Sequence, residues 1–274
     1  MASQGAGSGG RVAVVTGAAR GIGAATVLAL ADAGWSVLAV DSTADHPALP
    51  YPMATPADLS GVVSRGNESA GAPGRVESFV ADVRDTEAVA AAVAEAEYRW
   101  GGLDAAIAAA GVIAGGVPLW EFPPARQQAV LDVNLGGVLS LARAAIPALL
   151  RRPAPRSGRF LAVASAAAAR GLPLLAAYCA AKAGVAGLVR ALAAELADSG
   201  VTANAVSPGS TATPTLDESA RLYELPGAHA FASQQPVGRL LDPAEVAAVL
   251  AFLASPASSG MTGAIVPVDG GLAL

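Results

Sequence analysis

Short apolar segments alternate with amphipathic helical patterns along the whole chain. The first segment, 11–16, runs into a glycine-rich turn, and a helical pattern over 22–33 follows and ends at Gly34. Further strands are predicted at 37–40, 76–83, 103–110, 159–165, 201–209 and 264–268. Further helices are predicted at 86–100, about 125–150, about 176–198 and after Asp242 and Pro243.

Repeated alternation of strand and helix predicts an α/β fold. Parallel strands joined by right-handed helical crossovers form a sheet that is covered on both faces. We therefore expect a single doubly wound, Rossmann-type parallel sheet of about seven strands with helices on both faces.

Two proline-containing segments interrupt this alternation, at about 42–75 and about 209–238. Both follow the carboxyl end of a strand, where open α/β sheets bind ligands. Loops of this length in a compact domain are usually functional or disordered. We interpret 11–274 as a single Rossmann-type domain with an insertion at about 42–75 and a substrate loop at about 209–238, after a disordered tail at 1–10.

Composition excludes several classes of function. A net charge of −5 is the wrong sign for a nucleic-acid-binding surface. One cysteine and two histidines are too few for a disulfide or a cysteine- or histidine-based metal site. No signal sequence and no uninterrupted apolar stretch of ~18 residues is found, so we expect a cytoplasmic protein without a membrane span.

The turn after the first strand has the pattern of a nucleotide-binding loop. Glycines there let the backbone approach a pyrophosphate, and the following helix presents free N–H groups and its positive dipole end. The residues predicted to contact it are Gly17, Arg20, Gly21, Ile22 and Gly23. A tight structural turn is the alternative.

Asp41 closes the second strand 24 residues after Gly17, near the spacing expected for an acidic group that binds the adenosine ribose. Its carboxylate would repel a 2′-phosphate and so favours NAD over NADP, whereas Arg20 would favour NADP. A solvated aspartate at a strand end is the alternative to both.

Tyr178 and Lys182, the only lysine of the chain, lie four residues apart and therefore on one face of the alanine-rich helix. An ammonium within ~4–6 Å lowers the pKa of a phenol by about 1–3 units, which brings it toward the range of a general acid or base. Ser165 ends the fifth strand at the same edge of the sheet, where its hydroxyl could hold a substrate carbonyl. The alternative for both residues is that they are ordinary surface side chains of the helix.

With these motifs in order, the chain resembles the short-chain dehydrogenase/reductase family over essentially its full length. The resemblance rests on the 16–23 turn, on Asp82 and Val83, on the LDVNLGG, YCAAK and Pro-Gly segments, and on Ser165. It implies a catalytic tetrad in which Tyr178 exchanges the proton, Ser165 orients the substrate, Lys182 lowers the tyrosine pKa and holds the ribose, and Asn134 positions a relay water.

The same resemblance implies the remaining cofactor contacts and a homotetramer. Adenine would contact Asp82 and Val83, and nicotinamide would contact Pro208, Gly209, Thr211 and Thr213. The family's Asn-Asn-Ala-Gly is Ala-Ala-Ala-Gly here, so Ala108 and Gly111 would offer only backbone contacts. Small residues on the alanine-rich helix would let it pack closely on a partner: Ala180, Ala181, Ala183, Gly184 and Gly187.

The segment after Asp41, especially YPMATPADL at 51–59, resembles the insertion of the mycofactocin-coupled branch of that family. This resemblance implies a tightly held NAD whose electrons pass to mycofactocin, a peptide-derived redox carrier. The alternative is that this segment is an ordinary surface loop.

Apolar side chains before the alanine-rich helix and in the 209–238 loop predict a pocket for a hydrophobic secondary alcohol or ketone. The candidates are Leu172, Leu174, Leu175, Leu216, Leu222, Leu225 and Phe231. We find no polar anchor for a charged or sugar-like substrate. The sequence thus predicts an NAD-dependent alcohol dehydrogenase with a Ser-Tyr-Lys mechanism; the alternatives are an ordinary dehydrogenase with freely exchanging NAD(H) and a non-catalytic NAD-sensing regulator.

Overall fold

The computed structural model of the protein describes residues 10–69, 71–72 and 74–274. The predicted disordered tail, 1–10, lies outside these residues except for Gly10.

Seven strands form one parallel sheet. They are β1 Val12–Thr16, β2 Ser36–Asp41, β3 Val76–Val80, β4 Ala105–Ala108, β5 Gly158–Val163, β6 Val201–Pro208 and β7 Ile265–Val268. Their order is β3-β2-β1-β4-β5-β6-β7, and every neighbouring pair is parallel. The predicted doubly wound sheet is confirmed, and its chain order reverses between β1 and β4.

Within the described residues, eight α-helices connect or flank the strands. They are α1 Gly21–Asp32, α2 Pro56–Ser69, α3 Thr86–Trp100, α4 Pro124–Leu131, α5 Gly137–Arg151, α6 Ala176–Glu195, α7 Pro214–Leu222 and α8 Pro243–Ala254. Helices α3, α5 and α6 pack on one face of the sheet, and α1, α2 and α8 pack on the other.

Alternating strand residues supply the two halves of the core. In β1, Val12 and Val14 face the cluster with α3, α5 and α6, while Ala13 and Val15 face the cluster with α1, α2 and α8. All five residues of β1 are buried, as expected for a central strand that is covered on both faces.

Both interrupting segments contain helical structure that the sequence analysis did not assign. Helix α2 occupies the second half of the 42–75 segment and buries Leu59 and Val62. The 209–238 segment contains α7 and a 3-10 helix at Ala228–Gln234. Strand β3 ends at Val80 rather than at 83, because the Asp82 side chain accepts the Arg84 N–H at 2.9 Å and turns the chain.

Two helical stretches, Pro124–Arg151 and Ala176–Glu195, are long and apolar enough by composition to cross a membrane. Each places its apolar face on the sheet: Leu141 and Leu149 of α5, and Val185 and Val189 of α6, are buried in the same core cluster. They have the packing of core helices.

Candidate active site

One cavity of about 690 Å³ runs along the carboxyl edge of the sheet. Its wall includes the residues that directly follow β1, β2, β4 and β6, beginning at Gly17, Ser42, Ala109 and Gly209. This is the crevice where open α/β sheets bind ligands.

The glycine-rich turn forms one end of the cavity. Gly17 has φ +68°, and a Cβ at this position would lie 2.5 Å from Cα of Ala110, so the turn needs glycine for backbone packing. Helix α1 begins at Gly21 with no side-chain cap and no acidic residue in its first turn. Its N–H groups and positive dipole end therefore suit an anion such as a pyrophosphate. All five predicted contacts line the cavity: Gly17, Arg20, Gly21, Ile22 and Gly23.

Asp41 stands beside this turn at the end of β2 and also lines the cavity. Its carboxylate accepts the Ala19 N–H at 3.0 Å and the Thr43 N–H at 3.2 Å. Arg20 donates to the Pro52 carbonyl at 3.1 Å. The carboxylate is thus fixed at the cavity edge, while the guanidinium is engaged by the insertion.

A charged network that the sequence analysis missed follows β3. Arg84 pairs with Asp82 at 2.5 Å, and its other branch lies 2.8 Å from Nε2 of His46. Burial, with the charge of Arg84, lowers the pKa of His46. Partial burial would raise the pKa of Asp82, but the hydrogen bonds and charge of Arg84 outweigh it and lower that pKa. Asp82, Val83, Arg84 and His46 all line the cavity.

Asn134 sits in a π-helical turn, Asp132–Gly136, between α4 and α5. Its side chain is fully buried and bridges backbone groups: it accepts the Val112 N–H at 3.2 Å and donates to the carbonyls of Val112 and Val130 at 2.8 and 2.9 Å. A Cβ at Gly111 would lie 3.0 Å from its Oδ1 and 3.8 Å from Nζ of Lys182. The amide therefore holds the chain after β4 against the end of α4, close to Lys182.

Ser165 and Tyr178 meet on the wall beyond β5. Ser165 accepts the Ala167 N–H at 3.1 Å and so caps a 3-10 turn, Ala166–Ala168. Tyr178 lies in the first turn of α6. Burial raises the pKa of Tyr178, and the adjacent Ser165 hydroxyl opposes that rise.

Lys182 lies one helical turn further along α6, where it is 4% exposed. Its ammonium donates to the Val163 carbonyl at 2.8 Å and lies 5.7 Å from the centre of the Tyr178 ring. Burial lowers the pKa of Lys182 to about 8. We expected this lysine to lower the pKa of Tyr178. In the protein without cofactor, burial of the phenol raises that pKa instead.

The end of β6 supplies the opposite wall. A Cβ at Gly209 would lie 2.6 Å from the backbone oxygen of Asp269, so the chain needs glycine there. Thr211 donates to the Gly209 carbonyl at 3.1 Å, and Thr213 caps α7 by accepting the Leu216 N–H at 3.4 Å. The four predicted residues line the cavity: Pro208, Gly209, Thr211 and Thr213.

Three predicted residues are not on the cavity wall. Ala108 is buried within β4, and the wall at this point consists of Ala109, Ala110 and Gly111. Leu174 and Leu222 also lie outside the wall. The remaining predicted apolar residues do line it: Leu172, Leu175, Leu216, Leu225 and Phe231.

The first half of the 42–75 segment packs against the site. Leu49, Tyr51 and Met53 join an apolar cluster that also holds Val83 and Tyr178. The Tyr51 hydroxyl accepts the Ile113 N–H at 2.9 Å, and burial raises the pKa of Tyr51 to about 12. With the Arg20 and His46 contacts, these residues attach the insertion to the segments that follow β1, β3 and β4.

The comparisons with known proteins agree with this geometry. The family model described as enoyl-(acyl carrier protein) reductase matches residues 17–273. Cis-4-hydroxycyclohexanecarboxylate dehydrogenase of Sinomonas cyclohexanicum is 40% identical over 263 residues, 95% of this chain and 96% of that protein. A short-chain dehydrogenase from Mycobacterium paratuberculosis, solved with NAD, is 31% identical with a TM-score of 0.85 and covers 97% of this chain and 99% of its own. The chain belongs to the short-chain dehydrogenase/reductase family.

Carveol dehydrogenase from Mycobacterium avium, also solved with NAD, has a TM-score of 0.89 at 32% identity and covers 97% of this chain and 98% of its own. The resemblance to the family that the motifs suggested is thereby confirmed, and with it the prediction of an oxidoreductase.

Proposed function

We propose that this chain is an NAD-dependent dehydrogenase that interconverts an apolar, alicyclic secondary alcohol and its ketone. The observation that carries the proposal is the meeting of Ser165, Tyr178 and Lys182 on the wall of one cavity that also receives the uncapped N-terminus of α1. Relatives that act on ring alcohols, hydroxycyclohexanecarboxylate and carveol, support the substrate class.

The geometry assigns a role to each side chain in alcohol oxidation. Bound NAD supplies the hydride acceptor. Tyr178, as the phenolate, takes the hydroxyl proton, and the Ser165 hydroxyl holds the substrate oxygen beside it. Lys182 keeps donors for the ribose hydroxyls, because the Val163 carbonyl uses only one of its three N–H groups. Asn134 acts as a positioning residue through Val112 and Gly111.

Asp41 and Arg20 support NAD rather than NADP. The Asp41 carboxylate is held at the cavity edge by two backbone N–H groups, where it would repel a 2′-phosphate. Arg20 donates to the Pro52 carbonyl, which holds its guanidinium toward the insertion.

The variant Tyr178→Phe separates catalysis from NAD sensing. The enzyme proposal expects loss of alcohol oxidation with NAD binding preserved, since the ring remains and only the proton acceptor is lost. A non-catalytic regulator would show no oxidation in either protein. Turnover that survives in Tyr178→Phe would refute the proposed mechanism.

Cofactor retention and reoxidation by mycofactocin form the finer part of the proposal. The insertion is tied to three places around the cavity through Arg20, Arg84 and Ile113. Release of a bound dinucleotide would require these contacts to open. If the insertion retains the cofactor, protein purified without nucleotide and then denatured will release near-stoichiometric NAD or NADH. Empty protein that turns over alcohols with added NAD supports the alternative, an ordinary dehydrogenase with freely exchanging cofactor.

A homotetramer and a cytoplasmic location complete the proposal. Helix α6 leaves Ala180, Ala183 and Gly187 exposed, whereas Ala181 is buried in its own core and a Cβ at Gly184 would lie 2.9 Å from Leu135. Only the first three are therefore accessible to a partner subunit. Light scattering after size exclusion tests the tetramer, and cell fractionation tests the location.

A further inference from the structure

The charged side chains of the cavity wall fall on two sides of Tyr178. Most lie on the cofactor side, where they follow β1, β2 and β3 or belong to α6. These are Arg20, Asp41, Asp45, Asp82, Arg84 and Lys182. On the other side, among the described wall residues, Arg170 is the one charged side chain. The sequence analysis named no polar anchor for a charged substrate and did not consider Arg170.

Arg170 belongs to the same turn as the catalytic serine. Ser165 caps the 3-10 turn Ala166–Ala168, and the Arg170 N–H continues it by donating to the Ala166 carbonyl at 2.9 Å. The neighbouring wall is apolar, with Leu172 and Leu175 following in sequence. Ser165 and Arg170 thus reach the cavity wall from one turn, with leucines beside them.

The Arg170 side chain is anchored but retains hydrogen-bonding capacity. Nη1 donates to the Leu272 carbonyl at 2.8 Å, and within the described part of the chain this is its one side-chain hydrogen bond and no carboxylate pairs with it. Leu272 is itself held in a turn by Asp269, whose side chain accepts the Gly271 and Ala273 N–H groups at 2.9 and 3.1 Å. A guanidinium carries five N–H donors in a planar fork that matches a carboxylate.

We propose that Arg170 is a specificity-determining residue that binds a carboxylate on the substrate; this inference rests on the proposed function. The preferred substrate is then an alicyclic secondary alcohol, or its ketone, that bears a carboxylate on the side of the ring away from the reacting carbon. In this proposal the leucines of the wall contact the ring, and the Arg170 guanidinium binds the carboxylate.

The test compares a charged and a neutral probe of the same shape. Hydroxycyclohexanecarboxylate and hydroxycyclohexanecarboxamide are assayed with the complete protein, with both NAD and a redox-dye acceptor present so that turnover does not depend on cofactor exchange. Wild type should have a higher kcat/KM for the acid than for the amide. Arg170→Gln should lower kcat/KM for the acid about tenfold, because one charge-assisted hydrogen-bonded pair is lost, and should change kcat/KM for the amide less than twofold. Arg170→Lys, which keeps the charge without the fork, should lie between them. Arg65→Gln, an exposed arginine of α2 outside the cavity, is the matched control.

The proposal would be overturned if Arg170→Gln left the ratio of acid to amide activity unchanged. This holds even if both activities fall, because loss of a purely structural contact with Leu272 would lower both. Inhibition by cyclohexanecarboxylate relative to cyclohexanecarboxamide gives a second readout of the same preference. Wild-type protein that oxidises the amide but shows no preference for the acid refutes the role of Arg170 alone. Wild-type protein that oxidises neither probe refutes the substrate class of the proposed function, and the role of Arg170 with it.

Discussion

Replacing Tyr51 by phenylalanine tests whether the insertion holds the cofactor. The substitution keeps the ring in its apolar cluster and removes only the oxygen that accepts the Ile113 N–H at 2.9 Å. Ile113 is 3% exposed, so its N–H has no ready access to water while the insertion is closed. The variant therefore destabilises the closed insertion without changing its shape.

The size of the effect follows from this one orphaned donor. A buried N–H without an acceptor costs about 1–3 kcal/mol, whereas in the open state water satisfies it. If opening of the insertion limits the escape of NAD, the release rate in Tyr51→Phe should rise about five- to 150-fold, at 1.36 kcal/mol per factor of ten.

Exchange of bound cofactor against an excess of labelled NAD, sampled by rapid gel filtration, measures the release rate directly. Tyr98→Phe is the matched control, since Tyr98 is 87% exposed and lies outside the cavity wall. Unchanged exchange in Tyr51→Phe, together with a lower free energy of unfolding, would refute the reasoning: the hydrogen bond would then stabilise the fold without limiting release.

Three further predictions concern the cofactor, the catalytic serine and pH. Asp41→Asn keeps an acceptor for the Ala19 N–H but removes the charge, so the preference for NAD over NADP, measured as a ratio of kcat/KM values, should fall about tenfold or more; an unchanged ratio would contradict the role of Asp41. Ser165→Ala should lower kcat about 10–100-fold. It should also lower the unfolding free energy by about 0.5–2 kcal/mol because the cap of the turn is lost, whereas Ser165→Thr should retain the cap. Full activity of Ser165→Ala would exclude the serine from catalysis. Burial lowers the pKa of His46 below 6.5, so the unfolded state binds more protons at this residue than the folded state. As pH falls below 6.5, the free energy of unfolding of the wild type should therefore decrease relative to that of His46→Asn. A difference between the two unfolding free energies that stays constant with pH would contradict this.

Local signals in the sequence were sufficient for the strands and most helices. The alternation around 11–33 predicted β1, the turn and α1, and Asp242 with Pro243 marked the start of α8, where Asp242 accepts the Ala244 N–H at 2.8 Å. The spacing of Tyr178 and Lys182 placed both on one helix face, as the structure shows. Each of these inferences depends on residues that are close along the chain.

Other features depend on contacts that sequence spacing does not reveal. Helix α2 was missed because glycine and serine mask its pattern, although Gly66 is there to let the helix approach Val76, which a Cβ would meet at 2.8 Å. The contacts of His46 with Arg84, Tyr51 with Ile113, and Arg170 with Leu272 span 38, 62 and 102 residues. The tyrosine pKa was predicted in the wrong direction for the chain alone, because spacing gives the nearby charge but not the desolvation.

The most direct test of the account mixes the protein, as purified and without added nucleotide, with an alicyclic secondary alcohol and records the nicotinamide absorbance. The account predicts a single burst of NADH equal in amount to the active sites, with further turnover only after an external electron acceptor is added. No absorbance change until free NAD is supplied would contradict cofactor retention, and no change even then would contradict the proposed alcohol dehydrogenase.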